Sequence, residues 1–290
     1  MSSKIRIGTV KIGIKNYGFS KNTNNVDFGN FLNDALKKEI VKVDTSPRYG
    51  DSEKIIGNLP PQIKNKLSIS TKIDEINIHS KSIKKEMYKK LQSSLKNLKL
   101  PTIDVLYLHQ NELEIISNHE VILTLNEFKQ RGLVKEIGTS VYNKEELNFT
   151  LQAGIYDWVQ IPVNVLDTSF IEATLKNKTD IKIAARSVFL QGIIFDEQAI
   201  EKYVKQGKDL IEYLKKIKKI CINYNASLPE VALSFVSQIK EVDEILIGTI
   251  STDNLEMNCR AVNSQIDVEM FNELYSLSSA EKSWSNPRDW

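Results

Sequence analysis

Four residues with chemical potential stand at or just beyond the ends of short apolar or alternating runs. Asp44 follows the run 40–43 and opens the segment Asp44-Thr-Ser-Pro-Arg-Tyr-Gly-Asp-Ser-Glu53, which carries Tyr49; Lys72 follows 67–71, and His109 follows 103–108. Singly, each has an ordinary reading: Asp44 as a turn acid, Tyr49 as a half-buried loop aromatic, Lys72 as a strand-end charge, His109 as a core histidine. Together they make a proton-transfer set. A phenol has a pKa near ~10 and is a poor acid at neutral pH unless a cation stabilises its phenolate. One unit charge at about 4 Å, in an effective dielectric near 20, contributes ~4 kcal/mol, enough to bring the Tyr49 phenol down towards working pH if Lys72 lies beside it. Asp44 would keep the Lys72 ammonium charged and aimed, and His109 would donate a hydrogen bond that orients and polarises a carbonyl oxygen. None of the four is a hydride source, so carbonyl reduction here requires a cofactor.

The elements that must bring these residues together can be read from periodicity. Strand-like runs fall at 5–14, 40–43, 67–71, 103–108, 134–138, 158–161, 181–185 and 244–248. Helix-like patterns separate them, at 25–38, in a short helix ending at Gly57, and at 80–99, 117–131, 144–153, 170–177 and 198–224, with 228–239 before the last strand and 252–262 and 268–277 after it. Eight strands in strict alternation with helices predict parallel pairing and an α/β fold, a closed (β/α)8 TIM barrel forming one domain over residues 1–290 with additional C-terminal helices. An open doubly wound sheet would carry G-x-G-x-x-G after its first strand, and this chain does not. In a barrel the carboxyl ends of the strands share one face, so Asp44, Tyr49, Lys72 and His109 converge there although distant in sequence.

Composition narrows the partners. Lys and Arg number 39 against 37 Asp and Glu, a balance that gives no basis for nucleic-acid binding. Hydrophobic residues make up 41% with no long uninterrupted apolar segment, which predicts a soluble globular protein rather than a membrane one. The N-terminal segment lacks a signal pattern, so a cytoplasmic location is expected. Cys221 and Cys259 have no metal-ligand or redox spacing and read as buried thiols; no metal site is expected. No pattern bears on oligomeric state.

The segments VDTSPRYGDSEKIIG, ISTKI, IDVLYLHQ, GLVKEIGTSVYN, WVQIPVN and ILIGTISTDNLEMN, in this order, resemble the aldo-keto reductase superfamily over nearly the full length. The resemblance implies an NAD(P)H-dependent oxidoreductase that reduces an aldehyde or ketone, with Tyr49 as general acid, Lys72 and Asp44 tuning it, and His109 orienting the small-molecule carbonyl substrate. It implies NADPH as cofactor, with NADH as the alternative. It assigns Ser140 and Gln160 to the nicotinamide amide, Gly8 and Thr9 to the neighbourhood of the ribose, and Arg186 and Ser187 to the pyrophosphate region, with Asp44 also among the cofactor-binding residues. The adenosine-phosphate loop matches Gly248 to Asn258, with Gly248, Thr249, Ser251, Asn254 and Asn258 as contacts. That loop lacks the Lys and Arg that commonly clamp a 2′-phosphate, Arg260 being the nearest substitute. Arg186 stands where many relatives place an aromatic against the nicotinamide, and Val141 stands where many have Asn.

Arg48 and Gln110 adjoin Tyr49 and His109, which places them on the rim of the substrate pocket and favours a hydroxylated or anionic carbonyl. Similarity to reductases encoded with bacterial surface-polysaccharide enzymes suggests a sugar-derived one. His79 and His119 belong to helix starts outside the barrel. The tail 284–290, with two Trp and Arg288, either packs beside the barrel or covers the pocket. Two other functions remain open: a non-catalytic NADPH-binding or sensing module of the same fold, and a Schiff-base lyase, which would need a neutral Lys72 that Asp44 opposes.

Overall fold

The computed structural model describes residues 3–14, 17–18, 27–73, 75–110, 112–177, 180–278 and 284. Eight parallel strands close into a barrel in chain order: β1 (Ile5–Gly8), β2 (Lys42–Asp44), β3 (Ser68–Ile73), β4 (Ile103–Leu108), β5 (Val134–Ser140), β6 (Trp158–Pro162), β7 (Lys182–Arg186) and β8 (Glu244–Ile247). Helices follow the strands, and the expected (β/α)8 barrel is present. Register sets the functional end: Gly8 lies opposite Asp44, Asp44 opposite Ser70, Ser140 opposite Gln160, and Pro162 opposite Arg186.

Two apolar layers follow from strand alternation. Outward-facing Val43, Ile69, Leu106, Ile137, Val159, Ile183 and Ile245 are buried under the helices, against residues such as Leu32, Met87, Leu91 and Phe128. Each such burial contributes roughly 1.5–3 kcal/mol. A smaller cluster of Val105, Tyr107, Trp158 and Ala184, with Leu246 against it, is separate from that layer. Gly138 makes room for it: a Cβ there would lie 2.7 Å from the Tyr107 ring and from the Trp158 carbonyl oxygen. Arg6 is also fully buried, its guanidinium forked onto Glu244 through Nε at 2.6 Å and Nη2 at 3.1 Å, while Nη1 donates to Val43 O and Ser70 Oγ.

Three sequence readings need correction. The first strand stops at Gly8 instead of running through 5–14; Val10–Gly13 is a helical turn in which Ile12 N–H donates to Thr9 O and Ile14 N–H to Val10 O. Tertiary contact decides this, because the turn lays Gly13 against the Tyr49 backbone, where a Cβ would fall 1.5 Å from Tyr49 O. The helix read over 198–224 is two helices, Glu197–Tyr203 and Gly207–Asn223, broken where Val204 turns extended. Gly207 allows the break to pack tightly, since a Cβ there would meet Ile200 O at 2.7 Å. Of the two thiols, Cys221 is buried as expected, whereas Cys259 is only partly so.

The helix expected at 25–38 spans Phe28–Lys37, capped by Asp27, and residues 25 and 26 lie outside the described ones. His79 and His119 are exposed. After β8 come the helices Thr252–Asn263 and Val268–Ser278. Trp284 packs edge-on against Tyr213 at 5.5 Å, beside the helix Gly207–Asn223; residues 285–290 of the tail lie outside the described ones. No helix among the described residues is long and apolar enough to cross a membrane.

Candidate active site

The β2 loop is held by a relay of hydroxyls. Thr45 Oγ1 and Ser52 Oγ are 2.9 Å apart, Ser52 Oγ donates to Thr9 Oγ1 at 2.7 Å, and Thr9 Oγ1 donates to Asp44 O at 3.0 Å. Buried Glu53 anchors the following short helix, accepting from Thr71 Oγ1 on β3 at 2.7 Å and from Asn97 Nδ2 at 3.1 Å. Gly50, at φ +55°, completes the turn against Gly13. These contacts fix where Tyr49 emerges.

Inside the mouth, Asp44 and Lys72 form a buried ion pair. Lys72 Nζ also donates to Thr45 O at 3.0 Å, and the second Asp44 carboxylate oxygen accepts from Ser70 Oγ at 2.8 Å and Gln160 Nε2 at 3.0 Å. The Lys72 ammonium lies 5.2 Å from the centre of the Tyr49 ring. His109 meets that ring edge-on at 6.2 Å, with its Nδ1 3.2 Å from Ser46 Oγ. The four residues singled out from the sequence are therefore neighbours at one mouth.

Electrostatics corrects one expectation. Desolvation is the largest influence on Lys72 and pulls its pKa down, but Asp44 and Tyr49 together outweigh it, so the ammonium is held above its ordinary value and stays charged. For Tyr49 the balance goes the other way. Burial pushes the phenol above its ordinary value, Lys72 pulls it back, and Asp44 and Tyr142 add to the rise. The lowering expected from Lys72 alone is overturned because desolvation is the largest influence on the phenol and Asp44 opposes the ammonium.

A cavity of about 550 Å³ extends from these residues. Asp44, Tyr49, Lys72 and His109 line it, as do Gly8, Ser140, Gln160, Arg186, Ser187, Gly248, Thr249, Asn254 and Asn258. Thr9 and Ser251 do not: Thr9 spends its hydroxyl on the β2 loop, and Ser251 caps the helix Thr252–Asn263 by accepting from Asn254 N–H. Arg48 and Gln110 are also outside the lining. Arg48 is exposed with its N–H donating to Ser46 Oγ, and Gln110 accepts from Ile76 N–H. Arg260 pairs with Glu256 at 2.5 Å on an exposed face and does not reach the cavity.

Sequence reasoning passed over other lining residues, among them Lys11, Tyr17, Tyr142, Phe189, Gln191 and Met257. Tyr142 is positioned by an Asn143–Glu146 capping box at the start of the helix Lys144–Gln152, a signal visible as Asn-x-x-Glu just after Ser140. The Arg186 guanidinium stacks on it at 3.7 Å and donates to Val141 O at 2.6 Å. Tyr17 is pushed up by burial, with Tyr49 and Tyr142 adding to the rise and Arg186 and Lys72 opposing it. Beside it, Gly18 comes so close to Gln191 that a Cβ would lie 2.8 Å from the Gln191 carbonyl oxygen, so the segments after β1 and β7 meet.

The closed barrel with its polar groups gathered at one mouth is the architecture of a (β/α)8 enzyme. The sequence profile of the Aldo/keto reductase family matches residues 4–279, and the chain belongs to that family of oxidoreductases. It is 23% identical over 269 residues to the NADH-specific methylglyoxal reductase of Escherichia coli (strain K12), covering 80% of this chain and 82% of that protein. It is 26% identical over 204 residues to a D-threo-aldose 1-dehydrogenase from Pseudomonas sp, covering 63% of this chain and 59% of that protein. A solved structure from Pseudomonas aeruginosa carrying an aldo-keto reductase name superposes with a TM-score of 0.64, at 21% identity and 90% coverage of this chain and 92% of that one.

Proposed function

We propose that this chain reduces a small aldehyde or ketone with a nicotinamide cofactor, Tyr49 serving as the proton donor. The observation that carries the reading is the buried Asp44–Lys72 pair beside the Tyr49 ring, with His109 edge-on to the same ring. The cavity suits the cofactor. It offers the Ser140 hydroxyl and Gln160 amide at one end, and at the other the start of a twelve-residue helix, a favourable place for phosphate. When bound, the nicotinamide supplies a hydride to the carbonyl carbon. His109 directs a hydrogen bond at the carbonyl oxygen, and Tyr49 gives that oxygen its proton as negative charge develops on it. The Lys72 ammonium stabilises the phenolate left behind, Asp44 keeps the ammonium in place, and solvent returns the proton.

We infer NADH as the preferred form. Asn254, Met257 and Asn258 line the helix-start end of the cavity without a cation among the described residues, and Arg260 is engaged by Glu256. A 2′-phosphate is held mainly by charge-assisted contacts. The NADH-specific name of the Escherichia coli relative is in keeping with this. The aldose dehydrogenase name of the Pseudomonas relative favours a hydroxylated carbonyl, consistent with a sugar-derived substrate.

Fluorescence titration with NADH and NADPH, followed by turnover of an aldehyde panel, tests both parts. Tyr49→Phe should still bind NADH and lose about 10²–10⁴-fold in carbonyl reduction. Undiminished turnover in that variant would refute the assignment. Tight cofactor binding by the unaltered protein with no reduction of any carbonyl would favour the sensing module instead.

A further inference from the structure

A file of polar side chains runs through the barrel from the end where the strands begin towards the site. Glu244 on β8 holds Arg6 on β1 through two hydrogen bonds, at 2.6 and 3.1 Å. The third guanidinium nitrogen, Arg6 Nη1, donates to Val43 O at 3.2 Å and to Ser70 Oγ at 3.3 Å. Ser70 Oγ in turn lies 2.8 Å from Asp44 Oδ1, and the other oxygen of that carboxylate pairs with Lys72. Ser70 and Lys72 stand at alternate positions of β3, so both point into the lumen. Ser70 has no part in the steps from Tyr49 to the carbonyl, yet it is fully buried at the centre of this file.

Its hydrogen can be assigned. A serine hydroxyl has one hydrogen to give and two lone pairs that receive, whereas a guanidinium only gives. Arg6 therefore takes up a lone pair of Ser70 Oγ, and the single hydrogen goes to another partner. Among the described residues two acceptors are within reach, Asp44 Oδ1 at 2.8 Å and Val43 O at 3.3 Å. The nearer is a carboxylate, and Val43 O already receives Arg6 Nη1, so the hydrogen belongs to Asp44. A hydroxyl that accepts from a cation is polarised and donates more strongly. Gln160 Nε2 reaches the same carboxylate oxygen at 3.0 Å. Oδ1 is thus held by two neutral donors while Oδ2 faces the Lys72 ammonium.

Resting on the reductase reading above, we propose that Ser70 is a positioning residue for the proton transfer. Its hydroxyl, turned by Arg6, sets the plane of the Asp44 carboxylate and so the place of the Lys72 ammonium beside Tyr49. The torsion that turns a carboxylate is soft, so hydrogen bonds rather than the rotamer fix that plane. Without the Ser70 hydroxyl, Gln160 remains on Oδ1 and Thr45 O remains on Lys72, but the carboxylate can swing between them. The ammonium then stands less squarely by the phenol when the phenolate forms.

The test is a double-mutant cycle with the full-length protein, NADH and the aldehyde of the panel that the unaltered enzyme reduces fastest. Ser70→Ala should lower kcat about 10- to 100-fold, the size of one hydrogen bond to a charged group, and leave NADH affinity unchanged in fluorescence titration. Ser70→Thr keeps the hydroxyl on a residue type that strands favour, and should recover most of the loss. In a Tyr49→Phe background Ser70→Ala should cost no more than about twofold, because the group it serves is gone. If Ser70→Ala does not fold, Ser70→Cys, a weak donor of similar size, takes its place in the cycle with the same expectations.

A kcat that falls by no more than about twofold in Ser70→Ala overturns the proposal. An equal loss with and without the Tyr49 hydroxyl does so too, since Ser70 would then only support the fold. So does a folded Ser70→Thr that recovers nothing, or a chain that folds with neither Ala nor Cys at this position. In each of these cases Tyr49-dependent turnover by the unaltered enzyme leaves the reductase reading standing. No turnover of any aldehyde, or turnover that Tyr49→Phe does not diminish, overturns both.

Discussion

Tyr49 must hold its proton until the carbonyl arrives, and burial ensures that it does. A phenol pushed above its ordinary value is fully protonated through neutrality. The reductive rate should therefore hold a plateau there and fall only above about pH 10, while alcohol oxidation, which needs the phenolate, should rise over the same interval. A pH–rate profile checks this, and a reductive decline already under way near pH 7 would mean that Lys72 governs the phenol after all. The direction of this shift was not legible in the sequence. Proximity of a lysine can be read from strand ends, but the depth at which a phenol is buried depends on how the loops close over it.

Among the elements, the turn Val10–Gly13 has the most exacting fit. Gly13→Ala would set a Cβ on the Tyr49 carbonyl, and backbone must move to admit it. Displacing the proton donor by even an ångström should cost about 10²-fold in kcat. Steady-state kinetics beside a melting curve would show whether activity falls further than stability. The same turn explains what sequence reading caught and missed. Asp44, Lys72 and His109 were legible because each stands at the end of a run with a strand's pattern, apolar at 40–43 and 103–108 and alternating at 67–71. Lys11 and Tyr17 were not, since Val10 to Ile14 alternates as a strand would and becomes helical through contact with Tyr49. Phe189 and Gln191 were missed for a related reason. They belong to an irregular segment after β7, with positive φ at Ser187, Leu190 and Gln191, that no periodicity announces.

Across the whole molecule the two mouths of the barrel are differently made. The end where the strands begin has its own depression of about 600 Å³, lined by Lys42, Glu136, Lys182 and Glu244 among others, but its charges answer one another. Lys182 pairs with Glu136 at 2.5 Å, Lys135 with Asp104 at 2.6 Å, and Lys42 with Glu244 at 3.0 Å. That mouth serves stability. Glu244→Gln would strand the Arg6 guanidinium in the interior, and the loss should be about 3–5 kcal/mol, read from urea midpoints, with NADH binding at the far end a check that the fold survives. The closed barrel itself was legible from eight alternations, whereas this buried pair was not, because only the closed register shows that Arg6 and Glu244 meet.

Asp44 joins the two themes. Its carboxylate accepts from Lys72 and Ser70 on β3 and from Gln160 on β6, so one carboxylate of the proposed site ties three strands together, one of them across the lumen. In a population of variants under selection, such a residue has no substitution that trades a little rate for a little robustness. Change there is lost on both counts at once, so adaptation to new substrates must be sought on the loops, where Lys11 and its neighbours can be exchanged while the ring of strands stays as it is.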